Sequence, residues 1–423
     1  MSGLNYRILI RAFTARRDVA QSLLLKSILE TMGCQVIVAS LRQFETVIKL
    51  WKPHAVIINV QSVSVRVKKL MKDTFVILVP AEGGETGKFS IAQIWKTLSS
   101  EFIKTTDLTF FWNKISLEEC KKMFPNVNKD TFILSGNPKF DLIKFLPKKK
   151  KKKTNIIGFS TRFPHINQHE GINYTFVSLM PKRPSRTSNF TYADVLGFHN
   201  MIKVIDNILK KTDKIISIRP HPLEAVDNYF NLVVKEYEEK YRKRIKINSS
   251  LCIVEWLEDL DVLITPTSTA IYEAYLMKVP IISLDFISGT KKYYYKFNEI
   301  SKTIINSCIE PKSINSLLGL IKKNKFKIKK NKRLERYLED FHSYNFKKSS
   351  TLVIAKEIIN FLSRNKISNH IFTPKILVDI YDNYAFKREM KKNKLHWNCY
   401  YHKSVYKNPL NLDSIVKNIL KNQ

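Results

Sequence analysis

The stretch Glu255–Asp285, EWLEDLDVLITPTSTAIYEAYLMKVPIISLD, decides the fold. Within it Val262–Thr265 is a short aliphatic run without polar alternation, the pattern of a strand covered on both faces. Pro266-Thr267-Ser268-Thr269 breaks the run, Thr269–Met277 reads as a helix, and Pro280–Leu284 is a second strand of the same kind. Strand, tight loop, helix, strand is the grammar of a parallel sheet with helical crossovers.

The same grammar runs outward from this stretch. Asn155–Phe159 (NIIGF) and Lys214–Ile218 (KIISI) are strands, with helices expected over Ala193–Lys211 and Leu223–Arg242. Further upstream, strands are expected at Tyr6–Ile10, Gln35–Ala39, His54–Val60, Phe75–Val79 and Thr131–Leu134. Helices near Val19–Met32 and Phe44–Trp51 separate the first of them. Between the two series lie Pro147 and the run Lys148–Lys153, where like charges repel and nothing apolar can be buried. The expected architecture is α/β, with two doubly wound Rossmann-type domains. Residues 1–146 form the first, 147–154 a lysine-rich linker, 155–311 the second, and 312–423 a basic helical extension.

Bulk properties narrow the class. The chain has 423 residues, 44% hydrophobic and 11% aromatic, enough to bury two cores. Its five cysteines are scattered without a CxxC pair, which excludes a disulfide framework or a thiolate zinc cluster and fits a reducing cytoplasm. Arg7 interrupts the opening residues, so no leader peptide is expected, and no run approaches the roughly 18 apolar residues that span a bilayer. Lys+Arg minus Asp+Glu is 72 − 37 = +35, and the run Lys148–Lys153 supplies only 6 of these charges. A lysine-rich composition on a solvated surface explains such an excess, and so does attraction to anionic lipid. Nucleic-acid binding is the weaker reading, because no nucleic-acid motif accompanies the charge.

Three loops at expected strand ends carry candidate chemistry. Ser268 and Thr269 open a helix whose unpaired N–H groups suit a nucleotide phosphate, and Glu273 lies one turn on, within reach of a ribose. The competing reading makes the hydroxyls a helix cap and Glu273 a solvated residue. Arg219-Pro220-His221-Pro222 follows a strand, where ligands of open α/β sheets bind, and its prolines stiffen the loop. A plain turn is the alternative. In the first domain, Glu82 beside Gly83 and Gly84 is a carboxylate at a strand end that can serve as a general base, or simply a solvated turn residue. Arg162 and Asn167 follow the first strand of the second domain, and Ser135–Asp141 forms a structured turn closing the first. Walker loops, GxGxxG and GxSxG motifs, metal-ligand histidine spacing and acidic metal motifs at strand ends are absent from the sequence.

Together SGNPKFDLI (135–143), STRF…IN (160–167), RPHP (219–222) and the opening stretch resemble the bacterial surface carbohydrate biosynthesis proteins, a GT-B-like family related to Kdo transferases. The resemblance covers roughly Val76–Asp285 and implies two domains facing a cleft. It also implies a metal-independent, cofactor-free glycosyltransferase of capsule or lipopolysaccharide assembly, with a CMP-linked donor such as CMP-Kdo. In that comparison His221 and Pro222 match a His-Pro motif that contacts the donor phosphate, with Arg219 beside it. Ser268 and Thr269 match a Ser-Ser/Thr phosphate motif, and Glu82 with Gly83 matches the acidic-Gly motif of the catalytic base, although Ala81 stands where a second acid belongs. The expected partners are a CMP- or CDP-linked donor, a glycan or lipid-linked acceptor and an anionic membrane surface, with no nucleic acid; the expected location is the inner face of the cytoplasmic membrane. CDP-glycerol glycerophosphotransferases share a similar turn and histidine strand end, so a polyol phosphotransferase is the alternative. A non-catalytic GT-B-like scaffold and a nucleotide-sugar epimerase complete the set.

Overall fold

The computed structural model describes residues 5–12, 14–41, 43–81, 101–147, 154–168, 185–290, 303–344, 348–368, 370–392 and 411–421. Glu82, Gly83 and the run Lys148–Lys153 lie outside them. The chain forms two compact units: the described residues up to Pro147 and from Arg336 onward build the first, and the described residues between them build the second.

The first unit carries a six-stranded, wholly parallel sheet in the order β2-β1-β3-β4-β5-β6. Its strands are β1 (Arg7–Ala12), β2 (Gln35–Ser40), β3 (Ala55–Ile58), β4 (Phe75–Leu78), β5 (Leu108–Phe111) and β6 (Phe132–Leu134). Helices α1 (Ala15–Thr31), α2 (Phe44–Trp51), α3 (Ser64–Leu70) and α4 (Lys114–Met123) provide crossovers. Each of the six positions of β1 is buried, as a strand covered on both faces requires. On one side of the sheet Leu9, Val56, Val76, Leu78 and Phe111 pack with Trp51 and Ile48 of α2.

The second unit has a five-stranded parallel sheet in the order β11-β10-β7-β8-β9. Its strands are β7 (Ile156–Ser160), β8 (Ile215–Arg219), β9 (Ile245–Ile247), β10 (Val262–Thr265) and β11 (Ile281–Ser283). Its helices include α5 (Ser185–Lys211), α6 (Val226–Leu232), α7 (Ile253–Glu258), α8 (Ala270–Leu276) and α9 (Ile314–Lys322). From β7 the chain winds one way through β8 to β9, then crosses back so that β10 lies on the other side of β7. The strand order therefore reverses between β7 and β10, the position at which open α/β sheets hold ligands. The expected α/β class with two doubly wound Rossmann-type units is what the chain adopts.

Three differences from expectation have physical causes. Strands β5 (LTFF) and β9 (IKI) escape the sequence reading because a polar residue, Thr109 or Lys246, interrupts each short run. The helix expected over Leu223–Arg242 is broken after α6: Tyr237 is extended at φ −84° and ψ 148°, just beyond the β-branched pair Val233–Val234. The helical stretch after Lys312 is shared between the two units. Leu317, Leu318 and Ile321 of α9 join the second core. The chain re-enters the first unit within α10 (Lys332–His342) and continues through α11 (Ser350–Arg364), α12 (Lys375–Lys392) and α13 (Leu412–Lys421).

Gly158 is required by close packing. A Cβ at this position of β7 would stand 2.2 Å from Leu260 Cδ1 and 3.0 Å from Trp256 Cζ2. Trp256 is itself fixed by an Nε1–H donated to Ser217 Oγ at 2.8 Å. Gly158→Ala is expected to cost about 1–3 kcal/mol, read as a lower urea midpoint for the second unit.

Candidate functional site

The loops at the carboxyl ends of the second sheet are joined side to side by hydrogen bonds. Between β10 and β11, Asp285 accepts from the Thr267 amide, from Thr267 Oγ1 at 2.6 Å and from Thr290 Oγ1 at 2.7 Å. Asp285 is fully buried and its pKa is raised, first by burial, with the Thr267 hydrogen bonds opposing. Across the switch point, Arg162 Nη1 after β7 donates to the Thr267 carbonyl at 2.6 Å. A cation thus bridges the two strands between which the order reverses.

Between β7 and β8 the link is a buried carboxylate. Glu224 accepts from the Phe163 amide, from Thr161 Oγ1 at 2.7 Å and from the Tyr229 hydroxyl. Thr161 Oγ1 in turn accepts from the His221 amide at 3.1 Å, so the RPHP loop is held by its backbone. His221 Nδ1 accepts from the Leu223 amide at 3.2 Å. In the neutral ring the proton then sits on Nε2, making that atom a donor. Burial raises the Glu224 pKa to about 7, and its three hydrogen bonds, that from Tyr229 foremost, oppose the rise.

Asn167 ties the β7 loop to the chain entering α6. Its Oδ1 accepts from Asn228 Nδ2 at 2.8 Å, and its Nδ2 donates to the Ala225 carbonyl at 3.2 Å. Nearby, Asp194 of α5 accepts from the His165 amide at 3.0 Å and pairs with His165 Nδ1 at 2.8 Å. Burial raises the Asp194 pKa, opposed by His165.

Arg219, the last residue of β8, turns toward the chain leaving β9. Its guanidinium is buried and Nη1 donates to Asn248 Oδ1 and, at 3.0 Å, to Ser250 Oγ, both beyond β9. It thereby fixes the β8–β9 side of the rim. Ser268 is half-buried and its Oγ accepts from the Ala270 amide at 3.3 Å; Thr269 is exposed and caps α8 without a side-chain bond. Pro222 is half-buried. Glu273, on α8, is 1% exposed, so it is a buried carboxylate and not a solvated helix residue.

The loops carrying Arg162, Asn167, His221 and Ser268 all follow the carboxyl ends of the second sheet's strands, and Arg219 ends β8 on its β9 side. Glu224, Asp285 and the His165–Asp194 pair were missed by sequence reasoning. A signal existed for Glu224 alone: it is three residues past His221 and follows a proline turn, where its amide donates to the His221 carbonyl at 2.9 Å.

In the first unit the strand order reverses between β1 and β3. There Arg11 Nη1 donates to Asn59 Oδ1 at 3.0 Å, and Asn59 Nδ2 to Asp18 Oδ2 at 3.1 Å. Burial lowers the Arg11 pKa, with Asp18 opposing. The turn Ser135–Asp141 serves structure: Asn137 Nδ2 contacts His342 Nδ1 at 3.1 Å, and Asp141 holds the start of α11. The four described cysteines are free and buried. Among the described residues no group of three or more His, Cys, Asp or Glu is arranged to hold a metal ion, and no helix is long and apolar enough to cross a membrane.

No protein-family model and no curated protein matches the sequence. Among solved structures, the chain is similar to the UDP-GlcNAc 2-epimerase of Methanocaldococcus jannaschii in complex with UDP-GlcNAc and UDP, at 14% identity, 85% of this chain, 100% of that one and a TM-score of 0.47. It is similar also to the wall teichoic acid polymerase TagF, at 12% identity, 85% of this chain, 90% of that one and a TM-score of 0.48. A third is HepE of Anabaena in complex with UDP and glucose, at 12% identity, 85% of this chain, 100% of that one and a TM-score of 0.37.

Proposed function

We propose that the chain is a glycosyltransferase of bacterial surface polysaccharide assembly that takes a sugar from a cytidine-nucleotide donor, CMP-linked as in CMP-Kdo. The donor binds on the rim of the second unit. One observation carries this reading. His221 and the Ser268–Thr269 loop flank a switch point that is already bridged by Arg162 and stiffened by Glu224 and Asp285. Rigid donors aimed at a leaving phosphate are what glycosyl transfer without a metal needs, because they stabilise developing charge without reorganising.

In the proposed reaction an acceptor hydroxyl oxygen bonds to the anomeric carbon as the bond from that carbon to the phosphate oxygen breaks. The departing nucleotide keeps the electron pair and is met by His221 Nε2–H and by the Ser268 and Thr269 hydroxyls. The hydroxyl proton passes to a general base, for which Glu82 beside Gly83 is the candidate; both lie outside the described residues. Glu273 is proposed to serve the donor from within the fold, as a buried anchor of the α8 turn. The acceptor is a glycan or lipid-linked saccharide, and the net charge of +35 favours work at the anionic inner face of the cytoplasmic membrane.

Thermal-shift titration with CMP, CDP and UDP tests the donor site. CMP is expected to raise the unfolding temperature most, and His221→Ala to remove that response while leaving the unliganded temperature within about 2 °C. A preference for CDP with CDP-glycerol turnover would make the chain a polyol phosphotransferase. A preference for UDP would sink the cytidine assignment.

A further inference from the structure

Helix α12 (Lys375–Lys392) is attached to the first unit along one narrow line. Val378 is buried in the core beside α2, Lys375 Nζ reaches Glu30 Oε1 at 3.2 Å, and just before the helix the Thr373 amide donates to the Leu50 carbonyl at 2.9 Å. Five of its other large apolar side chains face outward. Ile376, Leu377, Ile380, Tyr381 and Tyr384 are all exposed, Ile380 to 59% and Tyr384 to 64%, and Ile371 ahead of the helix is exposed to 93%.

These residues share a face. At about 100° per residue the five helical positions fall within an arc of about 140°, and Val378 lies on the far side. Lys387 and Arg388, both exposed, fall inside the same arc one to two turns further on, whereas Asp379 falls outside it. A solvated helix puts its charges opposite its apolar stripe. Here Lys387 and Arg388 continue the stripe, and the two tyrosines stand at the junction.

We infer that α12 lies in the headgroup layer of an anionic bilayer, with Ile376, Leu377 and Ile380 among the acyl chains and Lys387 and Arg388 on the lipid phosphates. The physical match is specific. An apolar stripe of this width suits the boundary between headgroups and acyl chains, and tyrosine rings place an apolar body and a polar tip across it. Basic residues next to the stripe then add attraction to anionic lipid. Isolated exposed apolar residues need no partner, but a contiguous face of this kind marks an interaction surface. The sign of the charge within the face, the same as the net +35 of the chain, selects an anionic surface over a neutral apolar groove. This rests on the membrane-surface part of the proposed function and assigns it to one helix.

Flotation of the full-length protein with vesicles of phosphatidylglycerol and phosphatidylcholine, against phosphatidylcholine alone, is the test. Wild type is expected to float with the anionic vesicles only. The double variant Ile380→Asp, Tyr384→Asp is expected to lose at least about tenfold in partitioning at low and at high salt. Lys387→Glu with Arg388→Glu is expected to lose at least about tenfold at low salt and little at high salt. All four positions are exposed, so an unchanged unfolding temperature checks that the variants fold. If wild type floats and both variants float equally well, the assignment to α12 is overturned while the membrane reading stands. If wild type fails to float at low salt, both fall. If wild type is a dimer in solution and Ile380→Asp, Tyr384→Asp makes it a monomer, the face joins two copies and the lipid assignment is overturned.

Discussion

Glu224→Ala is expected to destabilise the second unit by on the order of 3–5 kcal/mol. The substitution strips the acceptor from three donors at once: the Phe163 amide, the Thr161 hydroxyl and the Tyr229 hydroxyl. All three belong to buried residues, and each unsatisfied buried donor costs about 1–3 kcal/mol. Urea unfolding followed through Trp256, which is buried in the same unit, reads the loss. The wild-type carboxyl also makes stability depend on pH. Its folded pKa of about 7 lies above the ordinary 4.5, so between these values the folded state binds the proton more tightly than the unfolded chain. The contribution is complete below about pH 4.5 and is lost as the pH rises through about 7, amounting to about 3 kcal/mol. Glu224→Gln, which keeps an acceptor and cannot titrate, should flatten this part of the profile. An unchanged slope between these pH values would show that the carboxyl is ionised throughout.

Asp141→Ala is expected to destabilise the first unit by about 3–5 kcal/mol, the range for uncovering the partners of a buried charge. Asp141 Oδ2 accepts from Ser349 Oγ at 2.7 Å, from the Thr351 amide at 2.7 Å and from Thr351 Oγ1 at 2.8 Å, and Lys144 pairs with Oδ1 at 3.4 Å. The carboxylate therefore sits at the amino end of α11, where a negative charge meets the helix dipole. Beyond the global loss, amide exchange over 350–364 should rise, because the helix loses its fixed start while keeping the packing of Ile354, Ala355 and Ile358. Exchange confined to wild-type rates in that segment would place the helix's anchorage in its apolar face alone. Asp141→Asn retains one acceptor and should lie between the two.

These two carboxylates show where sequence reading stops. The fold was legible wherever a buried strand announces itself by an aliphatic run and a following turn, as at Val262–Thr265 with Pro266, or Ile215–Arg219 with Pro220. It was illegible at β5 and β9, where Thr109 and Lys246 interrupt short strands and leave no aliphatic run. The rim loops were legible as positions, since they follow such strands. Their chemistry was legible only in part, because a hydrogen-bond partner leaves no local trace. Glu224 meets Thr161 across 63 residues, and Asp285 meets Thr267 across 18. Arg219 finds Asn248 and Ser250, neither of which stands out in the sequence, across 29 and 31 residues. Glu273 likewise looks like helix surface by position and is buried by the packing of α8.

The division of the first unit across the chain sets an order of assembly during synthesis. Asp141 leaves the ribosome 210 residues before Thr351, the partner it must cap. At about 5–20 residues per second that is a wait of about 10–40 s. During it the first unit lacks α11 and α13, which pack against α1 and bury Ile354, Ile358, Ile415 and Ile419. Among the described residues the second unit draws on nothing after Glu335, so the middle of the chain can reach its native packing before the beginning does. A nascent chain of which the residues up to about 340 have left the ribosome should accordingly show a protease-resistant second unit behind a still-sensitive amino-terminal sheet.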